Sequence, residues 1–121
     1  LVEAGSRFVG VDNGSWDTHF SQFPSLKEDL IPSADRAFSA LVTDLEDRGL
    51  LDDTLVVWVG EFGRTPKISS NGGRDHWPQC YCAVLVGGGI KKGFVYGASD
   101  KIGAFATVGQ ARPEDLGKYT M

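Results

Sequence analysis

The sequence has no run of basic residues and no long apolar segment. It holds 12 Lys and Arg against 16 Asp and Glu, which gives a net charge of −4. An acidic chain of this kind carries no electrostatic footprint for nucleic acid or for an anionic membrane. Its longest apolar runs, such as residues 55–59, are far shorter than the roughly 20 residues that span a bilayer. We therefore expect neither nucleic acid nor a membrane among its partners.

Cysteine is scarce as well, because the chain has only Cys80 and Cys82. If Tyr81 lies in a strand, both thiols point to one face, which suits a disulfide poorly. A metal-binding pair would favour the spacing C-x-x-C, and the spacing here is C-x-C. We interpret the two residues as small buried thiols. No secretory signal is present either, so the sequence leaves the compartment open.

The 121 residues, 41% of them hydrophobic, suffice for one domain or part of one. Apolar residues from Ala34 to Leu45 recur with helical spacing, and Gly49 is a natural stop for that helix. Residues 7–12, 83–86 and 94–96 have the composition of strands. Residues 54–60 (TLVVWVG) form a continuous apolar run, which is typical of a strand buried on both faces of a parallel sheet.

The order strand, helix, strand, loop, strand predicts an α/β fold in which a right-handed crossover joins parallel strands. In such sheets, ligands bind outside the carboxyl ends of the strands. Three segments that follow predicted strands carry Asp17 with His19, Glu61, and His76. Carboxylate and imidazole together suit Zn²⁺ or Mn²⁺. From spacing alone a structural role for these residues remains the alternative, since D-x-H is a common pattern.

Arg64, Arg74 and Asp75 lie in the same loops as these residues. The guanidinium fork suits recognition of a phosphate or sulfate group. Alternatively, the two arginines are ion-pair partners of Glu61 and Asp75. Both interpretations remain open from the sequence.

Four strings, in this order and spacing, resemble the DUF1501 family of bacterial sulfatase-like proteins. They are WDTH (16–19), TLVVWVGEFGRTP (54–66), GRDHWP (73–78) and VLVGGGIKKGFVYGASD (84–100). The resemblance runs from residue 1 to about residue 116. It implies membership of the alkaline phosphatase/sulfatase superfamily, and hence a three-layer sandwich around a mostly parallel sheet.

The resemblance also implies a metallohydrolase site. One divalent metal ion would be held by Asp17, His19 and His76. A second ion would need an Asp-His pair, but this chain has Glu61-Phe62 at that place. The superfamily nucleophile has no counterpart in these residues. We therefore expect this chain to be the metal-binding C-terminal portion of a truncated hydrolase domain that acts on phosphate or sulfate esters. By itself, the chain is expected to be inactive.

Two alternatives are a non-catalytic folded fragment and an interaction domain that keeps the fold without the chemistry. Family members are often exported to the periplasm or the cell surface, which the resemblance alone suggests. A part of a larger sheet exposes an unpaired strand edge, so we expect homo-oligomers formed through that edge. A helix start at Pro113 completes the expected elements.

Overall fold

A computed structural model of the chain describes residues 1–116. Its helical and strand segments are, in chain order, α1 (Gln22–Ser25), a π-helical turn (Leu26–Leu30), α2 (Ile31–Asp47), a 3₁₀ turn (Leu51–Asp53), β1 (Val56–Val59), β2 (Gly63–Arg64), β3 (His76–Trp77), β4 (Ala83–Val86), β5 (Ala98–Ser99), β6 (Ala106–Val108) and α3 (Pro113–Leu116). The two longest strands, β1 and β4, have four residues each. The rest of the described chain is turns and loops.

The helical run is longer than the predicted helix from Ala34 to Leu45, because it begins at Gln22 and continues through Pro32. Just before Pro32 the helix widens into the π-helical turn, in which the N–H of Ile31 bonds to the carbonyl of Leu26. A proline ring normally clashes with the carbonyl four residues earlier. The wider turn relieves that clash, so α1, the turn and α2 follow without a break. The predicted end is confirmed, since α2 finishes at Asp47 and Gly49 has a φ of 68°.

The predicted parallel sheet and three-layer sandwich are wrong. β1 pairs with β4 in an antiparallel ladder, with Val57 opposite Leu85 and Trp58 opposite Val84. β2–β3 and β5–β6 are two further antiparallel pairs, and residues 1–116 contain no parallel ladder. The cause lies in the connection: residues 60–82 leave the end of β1 and return beside it. No crossover helix separates the two strands, so the chain reverses direction.

Helix α2 contacts one face of the β1–β4 sheet, although Trp58 on that face is still 43% exposed. We call the face of Val57 and Val59 the open face. The ring of Phe38 on α2 lies 4.9 Å from the ring of Trp58. Because side chains alternate along a strand, Val57 and Val59 lie on the opposite face, where they are 38% and 44% exposed. The expected burial of this strand on both faces is therefore wrong.

The core is small for a chain of this mass. Among the described residues, the buried apolar side chains are Leu30, Ala34, Leu45, Leu51 and Ala104. The accessible surface is 9326 Å² for 13.0 kDa, whereas compact monomers of that mass expose about 6,300 Å². The chain therefore leaves much apolar surface in contact with water.

Two of the predicted strands do not form. Residues 7–12 make no strand, and Phe8 in this segment is 89% exposed. Residues 94–96 are also irregular, and the nearby strand pair is β5–β6. The helix start at Pro113 is confirmed as α3. No helix in the described part of the chain is long and apolar enough to cross a membrane.

Candidate metal centre

Two segments far apart in the sequence are brought together by backbone contacts. The N–H groups of Ser21 and Gln22 bond to the carbonyls of Asn71 and Gly72, at 3.1 and 3.0 Å. Residues 16–19 and the loop 60–82 therefore lie side by side. The sequence WDTH thus meets the sequence GRDHWP of the returning loop.

Gly73 is required for this contact. A Cβ atom at Gly73 would lie only 1.8 Å from the backbone oxygen of His19. Since no real side chain tolerates such a distance from backbone, only glycine lets the two segments approach so closely. The Gly-Gly pair before Arg74 indicates that another part of the backbone comes close to it. The sequence alone does not show that this part is the backbone of His19.

Asp17, His19 and His76 converge at this contact, and we call them the Asp–His triangle. Its corners are Oδ1 of Asp17 and Nε2 of each histidine. The carboxylate oxygen lies 2.9 Å from His19 and 2.8 Å from His76, and the two ring nitrogens are 3.1 Å apart. The expected proximity of the two histidines is thus confirmed, although no parallel sheet places them there. All three side chains are open to solvent.

Arg64 supports the triangle from its more sheltered side. Its side chain is only 16% exposed. Nη2 donates to Oδ1 of Asp17 at 2.7 Å and to the carbonyl of Trp16 at 3.1 Å. The hydrogen bond from His76, followed by that from Arg64, lowers the pKa of Asp17 from 3.8 to about 2. Asp17 is therefore a carboxylate at any neutral pH, as metal binding requires.

Two more side chains hold the histidine rings. Asp75 places Oδ1 3.0 Å from Nδ1 of His19, on the side of the ring opposite Nε2. The ring of Phe62 packs against that of His76 with centroids 4.3 Å apart. In the sequence, Phe62 stands where the second metal site would need a histidine, and its packing against His76 does not follow from that position.

The proton inventory of the triangle favours a positive charge at its centre. If Nδ1 of a neutral His19 donates to the Asp75 carboxylate, Nε2 carries a lone pair. That lone pair then faces the carboxylate oxygen of Asp17 at 2.9 Å. Two acceptors at this distance repel each other, although Nε2 of His76, 3.1 Å away, can donate a hydrogen bond to the same lone pair. A cation between the three ligand atoms would remove the repulsion.

The size of the triangle also fits a metal ion. Ligands at right angles around an ion, with bonds of about 2.0–2.2 Å, lie about 2.8–3.1 Å apart. The three edges of the triangle are 2.8, 2.9 and 3.1 Å. The three atoms thus have the spacing that one face of a six-coordinate shell needs.

Glu61 does not join the other expected ligands. It is exposed, and the only group of potential ligands found among the described residues consists of Asp17, His19 and His76. The sulfur atoms do not contribute either. Cys80 is partly buried and Cys82 exposed, which corrects the expectation that both are buried.

The guanidinium groups of Arg64 and Arg74 both bond to backbone carbonyls of the chain. Arg64 donates to the carbonyl of Arg74 at 3.3 Å, and Arg74 donates back to the carbonyl of Arg64 at 3.4 Å. Arg74 also bonds through Nε to the carbonyl of Thr65. In this arrangement both guanidinium groups fasten β2 to the strand that carries His76.

Comparison with known proteins gives one family. The family described as "Protein of unknown function (DUF1501)" matches residues 1–120. No curated protein and no solved structure matches the chain.

Proposed function

The chain belongs to the DUF1501 family, and we propose that it binds one divalent metal ion through Asp17, His19 and His76. In this proposal it is the metal-bearing part of a hydrolase of phosphoric or sulfuric esters. The observation that carries metal binding is the triangle of donor atoms with edges of 2.8–3.1 Å. The support of His19 by a carboxylate strengthens it, because metal-binding histidines commonly have such a partner.

The edge lengths bear on the identity of the ion. Donors at right angles suit a six-coordinate ion such as Mn²⁺. In a tetrahedral Zn²⁺ site the same donors would lie about 3.3–3.6 Å apart, so Zn²⁺ requires the triangle to widen by a few tenths of an ångström. We propose Mn²⁺ or Zn²⁺, and a titration with each ion separates them.

Ester hydrolysis rests on the resemblance to the alkaline phosphatase/sulfatase superfamily. A divalent ion supplies Lewis acidity towards a phosphoryl or sulfuryl oxygen. In this proposal, the role of the chain is to hold that ion on an accessible surface, with one carboxylate and two imidazoles. Among residues 1–116, no serine or threonine hydroxyl bonds to the triangle. We therefore expect no appreciable turnover of chromogenic phosphate or sulfate esters by this chain, even with added Mn²⁺ or Zn²⁺.

Isothermal titration with Mn²⁺ and Zn²⁺ tests the metal site. We expect one ion per chain, and we expect His76→Ala and Asp17→Ala to abolish binding. Asp52→Ala is the matched control, because Asp52 is exposed and lies in the 3₁₀ turn before β1. Glu61→Ala should also bind normally. Equal binding by the wild type and the His76→Ala variant would refute the proposal.

A second candidate is an interaction domain that has no chemistry of its own. The large accessible surface and the open face of the β1–β4 sheet favour it. The metal titration separates the two candidates, since an interaction domain needs no ion. Ester turnover that is lost in His76→Ala would show that this chain is itself a hydrolase.

A further inference from the structure

The carboxylate of Asp75 lies behind His19, on the side of the ring away from the triangle. Its Oδ1 is 3.0 Å from Nδ1, while Nε2 of the same ring is 2.9 Å from Oδ1 of Asp17. One imidazole is thus held between two carboxylates through its two nitrogens. Each carboxylate meets a different nitrogen, so the two have different roles.

We propose that Asp75 is a positioning residue that fixes His19 as the tautomer with its proton on Nδ1. This places the Nε2 lone pair in the Asp–His triangle before any ligand arrives. The inference rests on the proposed metal function for its purpose, although the tautomer itself is a property of the metal-free chain. It also replaces the sequence-based assignment of Asp75 to anion binding.

Asp75 can act in this way because its own backbone is fixed. Its N–H bonds to Oγ1 of Thr65 at 3.1 Å, and its carbonyl accepts from the N–H of Thr65 at 2.9 Å. Both bonds cross from the segment that carries Arg64 to the segment that carries His76. One short ladder therefore sets the positions of a ligand, His76, and of the group that orients another ligand, His19.

The charge of Asp75 matters less to this proposal than its acceptor oxygen. Hydrogen bonding at one ring nitrogen decides which nitrogen keeps its lone pair. An asparagine at position 75 can still accept from Nδ1 through its amide oxygen, but an alanine cannot. A purely electrostatic role would make the two substitutions equivalent, since both remove the charge.

The experiment uses the full chain labelled with ¹⁵N, without metal, at neutral pH. Ring nitrogen shifts give the tautomer of His19, and the spectrum of His76→Ala assigns the only other histidine. Mn²⁺ affinity is measured on the same samples by titration. The variants are Asp75→Ala and Asp75→Asn, and Asp52→Ala is the control for loss of one exposed carboxylate.

We expect the wild-type His19 to carry its proton mainly on Nδ1, and Asp75→Ala to shift it towards Nε2. Mn²⁺ affinity should fall about 10–100-fold in Asp75→Ala, by less in Asp75→Asn, and not in Asp52→Ala. An unchanged tautomer in Asp75→Ala, or an equal loss in Asp52→Ala, would overturn the inference. If the tautomer shifts but the wild type binds no ion, positioning by Asp75 stands and the proposed metal function falls.

Discussion

The Asp–His triangle, where the loop 60–82 meets residues 16–19, and the β1–β4 sheet are held together by different means. In the loop, Arg64, Thr65 and Asp75 make hydrogen bonds that join three chain segments. In the β1–β4 sheet, Phe38 contacts Trp58 on one face, but Trp58 and the valines of the opposite face all stay partly exposed. A polar network can therefore be well connected in a chain whose apolar packing is thin, because hydrogen bonds are directional and need few neighbours. We expect the two regions to respond differently to substitution.

The largest effect is expected at the close approach that creates the loop arrangement. Gly73→Ala would place a Cβ 1.8 Å from the backbone oxygen of His19, so the two segments must separate. We expect destabilisation of about 3 kcal/mol or more and loss of the metal site, measured by urea unfolding and Mn²⁺ titration. Gly14→Ala is the control, because nothing lies within 4 Å of its added Cβ. Wild-type affinity in Gly73→Ala would contradict the required contact.

The next effect concerns the few buried side chains of the chain. Leu45 on α2 is only 6% exposed, whereas Val59 on the open face is 44% exposed. We expect Leu45→Ala to lower the free energy of unfolding by about 2–5 kcal/mol. For Val59→Ala we expect less than about 1 kcal/mol, because half of the side chain is already in water. Similar losses in the two variants would mean that the open face is covered in solution.

Measuring self-association tests directly whether the open face is covered in solution. Residues 7–12 make no backbone hydrogen bond, and β1 and β4 each have one partner strand. We expect light scattering at micromolar concentration to give a mass above 13.0 kDa, since a second copy can cover the face of Val57 and Val59.

The variant Val59→Lys should lower that mass, and Ser33→Lys should not, because Ser33 is an exposed residue of α2. A monomer mass for the wild-type chain would show that its own residues cover the open face. In that case the contrast between the two regions would be smaller than the structure indicates.

The smallest effect is the dependence of stability on pH. The pKa of Asp17 is lowered from 3.8 to about 2, so its ionised form is stabilised by folding. That stabilisation is fully present above pH 3.8 and is lost as the pH falls towards about 2. We expect Asp17→Asn to flatten the pH dependence of unfolding in this window only. Asp12→Asn, at an exposed position without hydrogen bonds, should leave the slope of unfolding free energy against pH as it is in the wild type.

The sequence predicts local features of this chain better than its pairing. The apolar stripe on α2 and the stop at Gly49 follow from helical periodicity, which acts within a few turns. The direction of β4 relative to β1 does not follow from local pattern, because an apolar run such as residues 54–60 suits parallel and antiparallel strands alike. The loop 60–82 decides the direction, and loops have no periodicity to interpret.

The same limit applies to the candidate site. Asp17, His19 and His76 were predicted to lie together, and they do. Glu61 was expected beside them because it follows the predicted strand 54–60, but its side chain contributes no ligand atom to the group. Position after a strand gives the neighbourhood of a residue and not the direction of its side chain. The roles of Arg64 and Asp75 could not be separated by sequence for the same reason.

The contact between His19 and His76 joins residues 57 positions apart, in a chain without a disulfide bond. A cation held by both rings would act as a cross-link that closes this long loop. In the chain-entropy treatment, closing a loop of that length disfavours the unfolded ensemble by about 4 kcal/mol. Chelators would then change more than the chemistry of the site. Their addition would make residues 16–19 easier to detach from the returning loop, which limited proteolysis would reveal as faster cleavage near the N-terminus.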